Sequence, residues 1–201
     1  MAVALIDYGA GNLRSAAKAL EAAGASSVRV TSSPADVLSA ERIVLPGVGA
    51  FGACAAALRA VPGLEEALDR AVREHARPFL GICVGMQLMA DEGHEFGVHR
   101  GLGWVPGAVR RMAPEGLKVP QIGWNEVAPG GPGLLEAGYA YFVHSYAFET
   151  ADAAHLAATA SYGAAVTAAV QRDTMLGVQF HPEKSQAYGL ALLTRWLNWR
   201  P

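Results

Sequence analysis

The sequence predicts an α/β fold: a mostly parallel central sheet flanked by helices, with a mixed or antiparallel layer added in the second half. Two observations predict it. In the first half, short apolar runs such as Val3–Ile6 and Phe79–Ile82 alternate with helical stretches, as expected of βαβ units whose strands are covered on both faces. Beyond about Gly101, strand-like runs follow one another with few helices between them, the pattern of a mixed or antiparallel sheet. The chain has 201 residues, 52% of them apolar, and no repeat, charge block or linker divides it. One domain over residues 1–201 with a substantial core is therefore expected.

The elements follow in order. Val3–Ile6 is read as the first strand, followed by a Gly-rich turn and a helix over about Leu13–Ala23. Val28–Val30 and Arg42–Leu45 read as strands, then helices near Gly52–Arg59 and Leu64–Glu74. Phe79–Ile82 is a strand and Val84–Ala90 a helix. Strands are expected near Asn125–Val127, Tyr139–His144, Leu156–Ala160, Ala165–Val170 and Met175–Gln179, and a last helix over about Ser185–Trp199.

Composition excludes several function classes. Sixteen basic against eighteen acidic side chains leave a charge of −2, which argues against nucleic acid or an anionic membrane as partner. No run approaches the roughly 20 apolar residues of a transmembrane helix. The start, Met1 to Asp7, lacks a basic region and meets an acid too early for a signal peptide. With two cysteines, Cys54 and Cys83, neither a zinc site nor a disulfide framework can be built, and a reducing cytoplasm is expected.

Three segments carry chemistry. In Gly81-Ile82-Cys83-Val84-Gly85-Met86-Gln87 a strand gives way to a helix, with glycines two residues either side of Cys83. That is how an elbow holds a nucleophile outward, and a helix N-terminus favours thiolate. A buried core thiol fits the segment equally well. In Gln179-Phe180-His181-Pro182-Glu183-Lys184-Ser185 an imidazole able to relay a proton is followed two residues later by a carboxylate able to orient it. A surface His–Glu pair is the plainer alternative. Leu45-Pro46-Gly47-Val48-Gly49 runs from a strand into a Gly-rich loop, whose N–H groups suit an oxyanion hole or an ordinary βα turn.

Together these motifs resemble the class I (triad) glutamine amidotransferase family, and the Pro46–Gly49 segment resembles its oxyanion loop. The resemblance implies that fold in a single domain, a triad of Cys83, His181 and Glu183, and no cofactor or metal. It also implies oxyanion and substrate contacts from Gly47, Val48, Gly49, Val84 and Gln87. Asp7–Leu13, Gly123-Trp124-Asn125, Tyr141–Tyr146 and the Lys184-Ser185 pair further resemble the glutaminase subunits of imidazole glycerol phosphate synthase, which act in histidine biosynthesis. Gln121 departs from the histidine frequent there. That branch implies glutamine as substrate and ammonia delivered to a cyclase subunit, a (βα)8 barrel, in a heterodimer. It places Asn12, Trp124, Tyr141, His144 and Lys184 near the partner, with local packing the alternative for each. For His144, a structural or an assisting catalytic role is also open. Other readings are the glutaminase of an anthranilate or pyridoxal phosphate synthase, against which Met86 and Gln87 respectively argue, or a non-catalytic docking subunit.

Some residues invite readings that the pattern does not support. Gly9-Ala10-Gly11 lacks the third glycine of a dinucleotide fingerprint, Arg14 standing there. Cys54, among alanines, is expected to be a packed thiol. His75, His94, His99 and His155 have no ligand spacing and are expected to be mostly solvated. Trp196 and Trp199 are expected to pack the last helix.

Overall fold

The computed structural model describes Met1–Pro201. In the first half, strands β1 (Ala2–Ile6), β2 (Ser27–Thr31), β3 (Arg42–Gly47) and β4 (Phe79–Cys83) alternate with helices α1 (Leu13–Ala22), α2 (Pro34–Ser39), α3 (Phe51–Ala60), α4 (Leu64–Asp69) and α5 (Val84–Gln87). A π-helical turn, Arg70–Glu74, continues α4. The second half holds β5 (Glu92–Gly93), β6 (His99–Arg100), β7 (Gly107–Arg111), β8 (Gln121–Pro129), β9 (Gly138–His144), β10 (Tyr146–Thr150), β11 (Leu156–Tyr162), β12 (Ala164–Arg172), β13 (Met175–Val178) and α6 (Gln186–Asn198).

Nine strands form one sheet in the order β2-β1-β3-β4-β13-β12-β11-β8-β9. The first five are mutually parallel, and from β13 outward every pairing is antiparallel. The expected added layer is thus an extension of the same sheet, accompanied by a separate four-stranded sheet, β10-β7-β5-β6. Every residue of β3, β4 and β13 is buried, which is why those strands read as apolar runs rather than alternations. One contiguous cluster of buried apolar side chains, from Val3 to Leu197, joins both halves.

Several expectations need correction. The helix after Cys83 stops at Gln87, not Ala90. Beyond Leu88 the bonds shorten to i−3, Met89 N to Met86 O and Ala90 N to Gln87 O, and the next carbonyls are taken from outside: Leu88 O by Leu102 N, Met89 O by Trp104 N and Val105 N, and Ala90 O by Gly103 N. The favourable helix dipole at Cys83 is therefore that of a single turn. Helix α2 was not anticipated, although Ser33-Pro34 is a helix-start signal with proline at N1. Of the four scattered histidines only His75 is exposed; His94, His99 and His155 are half-buried.

The turn from β4 into α5 packs backbone on backbone. A Cβ on Gly85 would collide with the Leu45 carbonyl, one on Gly47 would lie 2.7 Å from Gly85 N, and one on Gly81 2.7 Å from Gly85 O. Trp196, Leu192, Leu193 and Leu197 form the buried stripe of α6, and Gly189 lets that helix touch the Pro182 carbonyl.

Gly85→Ala is expected to cost about 2–3 kcal/mol, because the obstacle is backbone that must shift. Gly131→Ala, where an added Cβ meets nothing within 4 Å, should stay within about 0.5 kcal/mol. Urea unfolding of both variants measures the difference; equal midpoints would show that the turn tolerates a methyl group.

Candidate active site

The parallel strands β3, β4 and β13 are neighbours, with Gly47 opposite Cys83 and Ile82 opposite Val178. Their carboxyl ends open at one edge of the sheet, where such folds hold ligands. The loop after β3, the cysteine ending β4 and the segment leaving β13 therefore meet, although nearly 100 positions separate Cys83 from His181 in sequence. Cys83 has φ 56° and ψ −114°. A non-glycine residue held there stores strain of order 1–3 kcal/mol, as in a nucleophile elbow.

His181 Nδ1 lies 2.7 Å from Glu183 Oε1, and the two side chains are only 3% and 4% exposed. Burial alone would strip the imidazole of its proton. The interactions with Cys83 and Glu183 outweigh it and raise the His181 pKa to about 9. His181 Nε2 is buried without an aligned partner, so thiol and imidazole are neighbours that have not closed a hydrogen bond, a common state of unliganded sites. The loop carrying the pair is pinned by β9: His181 N donates to Tyr141 O at 2.9 Å. Ser185 Oγ donates to His181 O at 2.7 Å and accepts from Tyr141 N at 3.0 Å.

A cavity of about 310 Å³ opens beside Cys83, lined among others by Val48, Gly49, Val84, Gln87 and His181. That volume suits a small metabolite. A larger concavity of about 1010 Å³ lies away from Cys83, and Arg59, Arg100 and Arg73 in it are paired with Glu65 and Asp69. Neither Val48 N–H nor Gly49 N–H has an acceptor within the protein, and Val84 N–H, first in its helix, has no intrahelical acceptor. Gly47, grouped with them by the sequence, does not line the cavity. It is the bare contact through which β3 packs on α5.

Gln87 is buried; its Nε2 donates to Tyr146 O and to Gln179 Oε1, both at 3.0 Å. Gln179 in turn points its amide at Cys83 Sγ, 3.8 Å away. Sequence reasoning passed over Gln179, and also Glu95 and Ser145. Glu95 is the one carboxylate lining the cavity, held by a 2.8 Å hydrogen bond from Phe51 N. No local motif marks Glu95, whereas Gln179 stood within the His181 segment.

Asn12, Trp124 and Lys184 lie at the surface and Tyr141 is half-buried. Lys184 Nζ sits 5.8 Å from the Tyr141 ring, and Trp124 meets the same ring edge-on at 6.1 Å. Asn12 also caps α1, accepting from Ser15 N. His144 does not belong with them. It is 6% exposed, in phase with Ala140 and Phe142 on the inward face of β9. Its Nδ1 meets Tyr146 O and its Nε2 meets the Gln121 side chain, each at 2.9 Å. Burial lowers its pKa, so the ring is neutral: Nδ1–H donates to Tyr146 O and Nε2 accepts. The Gln121 amide must then turn its N–H toward the ring, which also gives a partner to Gln121 Nε2, otherwise buried without one.

Residues 4–197 match the family described as glutamine amidotransferase class-I. The chain is similar to the imidazole glycerol phosphate synthase subunit HisH of Zymomonas mobilis, 57% identical over 205 residues, 99% of this chain and 96% of that one. Subunits of the same name from Brucella suis and Rhodospirillum rubrum are 51% and 50% identical over the full length of both chains. Among solved structures, a crystal structure of glutamine amidotransferase superposes with a TM-score of 0.78, covering 98% of this chain and 97% of that one at 20% identity. The structure of PurLQS from Thermotoga maritima gives 0.76 over the same shares at 18% identity. At such identities the likeness concerns the fold alone.

His181 should hold its proton up to about pH 9 and lose it above, while His144 remains neutral at pH 7. Glu183→Gln removes a negative partner, so the His181 transition should move down toward the ordinary value of about 6.5. Nitrogen-15 NMR of the imidazoles across pH 5–11 reads both. An unchanged transition in Glu183→Gln would show that the carboxylate does not hold the proton.

Proposed function

The chain belongs to the class I glutamine amidotransferase family, and from that premise we propose that the cavity at Cys83 takes glutamine and hydrolyses it to glutamate and ammonia. It does so as the glutaminase subunit of an imidazole glycerol phosphate synthase, in histidine biosynthesis. The observation that carries this reading is the convergence at one cavity of a strained cysteine, a carboxylate-bound imidazole and unengaged backbone N–H groups.

The chemistry follows from the placement. His181 takes the proton of the Cys83 thiol, and Sγ attacks the side-chain amide carbon of glutamine. Negative charge develops on the carbonyl oxygen, and the N–H groups of Val48, Gly49 and Val84 are the donors at hand. One such donor is worth about 3 kcal/mol in the transition state. His181 passes its proton to the departing nitrogen, the C–N bond breaks, and ammonia leaves a thioester on Cys83. Water, deprotonated by His181, cleaves the thioester and releases glutamate. Glu183 keeps the ring oriented and its cation stable without taking the proton itself. Glu95 supplies the negative charge suited to the α-ammonium of glutamine. Water balances the reaction, so these steps call on neither metal nor organic cofactor.

The ammonia is delivered to a cyclase subunit, a (βα)8 barrel, in a heterodimer. Asn12, Trp124, Tyr141 and Lys184 are the candidate contacts, and the partner uses the ammonia to make imidazole glycerol phosphate and aminoimidazole carboxamide ribotide. The reduced thiol that the mechanism needs supports a cytoplasmic location. No helix is long and apolar enough to cross a membrane. Full-length similarity to HisH subunits favours this role over service to an anthranilate or pyridoxal phosphate synthase.

In the complex, Cys83→Ala should abolish synthesis from glutamine and leave synthesis from ammonium salts intact, since only the nucleophile is lost. Glutamine hydrolysis retained by purified Cys83→Ala would overturn the assignment. Glu95→Gln should raise KM for glutamine about tenfold or more, the worth of a charge-assisted contact; steady-state kinetics showing an unchanged KM would remove Glu95 from substrate binding.

A further inference from the structure

Two buried groups that take no part in the steps above sit beneath the oxyanion loop. Tyr8, two residues beyond β1 and 5% exposed, donates from Oη to Pro46 O at 2.7 Å. Cys54, in α3 and 2% exposed, donates from Sγ to Val48 O at 3.3 Å. They grip alternate carbonyls of the Pro46–Gly49 segment from two different parts of the chain. Gly11 adds a third support, since a Cβ there would come within 3.0 Å of the Pro46 ring.

In a trans peptide the C=O of one residue and the N–H of the next point in opposite directions. Fixing Pro46 O therefore fixes the direction of Gly47 N–H, and fixing Val48 O toward α3 turns Gly49 N–H away from that helix. Gly49, at φ 100°, can hold this orientation where a side chain would be strained. Between the two gripped peptides lies Gly47–Val48, whose N–H has no acceptor within the protein.

We propose that Tyr8 and Cys54 are positioning residues that clamp the oxyanion loop through the Pro46 and Val48 carbonyls. This rests on the glutaminase reading and deepens it. Burial holds both donors protonated: the Tyr8 phenol is pushed far above its ordinary range and the Cys54 thiol is raised. Each keeps the hydrogen it donates throughout neutral pH. Cys54 thus acts through the backbone of Val48, and its sulfur does no chemistry on substrate.

The test uses Cys54→Ala, Cys54→Ser and Tyr8→Phe, each assembled with the cyclase partner, with two readouts. Glutamine hydrolysis needs the oxyanion donors. Alkylation of Cys83 by iodoacetamide, followed by mass spectrometry of the Cys83 peptide, displaces iodide at saturated carbon and forms no oxyanion. Cys54→Ala and Tyr8→Phe should each lower kcat about tenfold, less than the 10²–10³ of losing a donor outright, with KM changed less than about twofold. The Cys83 alkylation rate should stay within about twofold of wild type. Cys54→Ser keeps a donor and should retain at least about half of kcat. Unchanged kcat in both Cys54→Ala and Tyr8→Phe would overturn the proposal. So would a parallel fall in hydrolysis and alkylation, which marks general loosening. If Cys54→Ala does not fold, Tyr8→Phe decides by the same two readouts. A wild-type complex that alkylates normally but hydrolyses no glutamine would instead overturn the glutaminase reading, and the proposal with it.

Discussion

The site depends on a contact without side chains. Where β4 turns into α5, the backbone of Gly85 lies against the Leu45 carbonyl, with Gly47 and Gly81 bare on either side. Atoms this close transmit displacement directly, since packed interiors have little slack. Strand β3, its loop and the cysteine turn therefore behave as one block. The unusual dihedrals of Cys83 persist because this block is packed from both sides. The distance from Cys83 to the loop is consequently set by main chain, and side-chain rotamers have little influence on it.

Around that block the protein sets two histidines at similar depth in opposite states. His144 and His181 are 6% and 3% exposed. His144 meets a backbone carbonyl and an amide, and burial wins, leaving it neutral. His181 has a carboxylate at 2.7 Å and a thiol nearby, and charge wins. Depth alone does not decide protonation; the partner does. Glu183 Oε2 remains without a protein partner, a cost that a buried carboxylate tolerates when its other oxygen faces an imidazolium.

Much of this was legible in the sequence because the central strands are buried on both faces and so appear as apolar runs. The three motifs were legible because each ends one such strand. Other features required tertiary knowledge. Strands β5 and β6 have two residues each, too few to show a period. The residues after Gln87 are good helix formers, yet their carbonyls are claimed by residues 102–105, a competition that no local window contains. The clamp from Tyr8 and Cys54 joins the turn after β1, α3 and the loop after β3, so neither residue carried a signal alone. His144 is different: the alternation Ala140, Phe142, His144 was available, and period two alone places it inward with the core.

Gly189 brings α6 against Pro182, between His181 and Glu183 in the chain, and Trp196 anchors that helix in the core. On the ribosome, Cys83 and the oxyanion loop emerge early, but the imidazole follows about a hundred residues later and its backing helix later still. A partly synthesised chain thus has a thiol with no base. The thiol and the imidazole therefore meet only after most of the chain has been made, and α6 docks on their loop last.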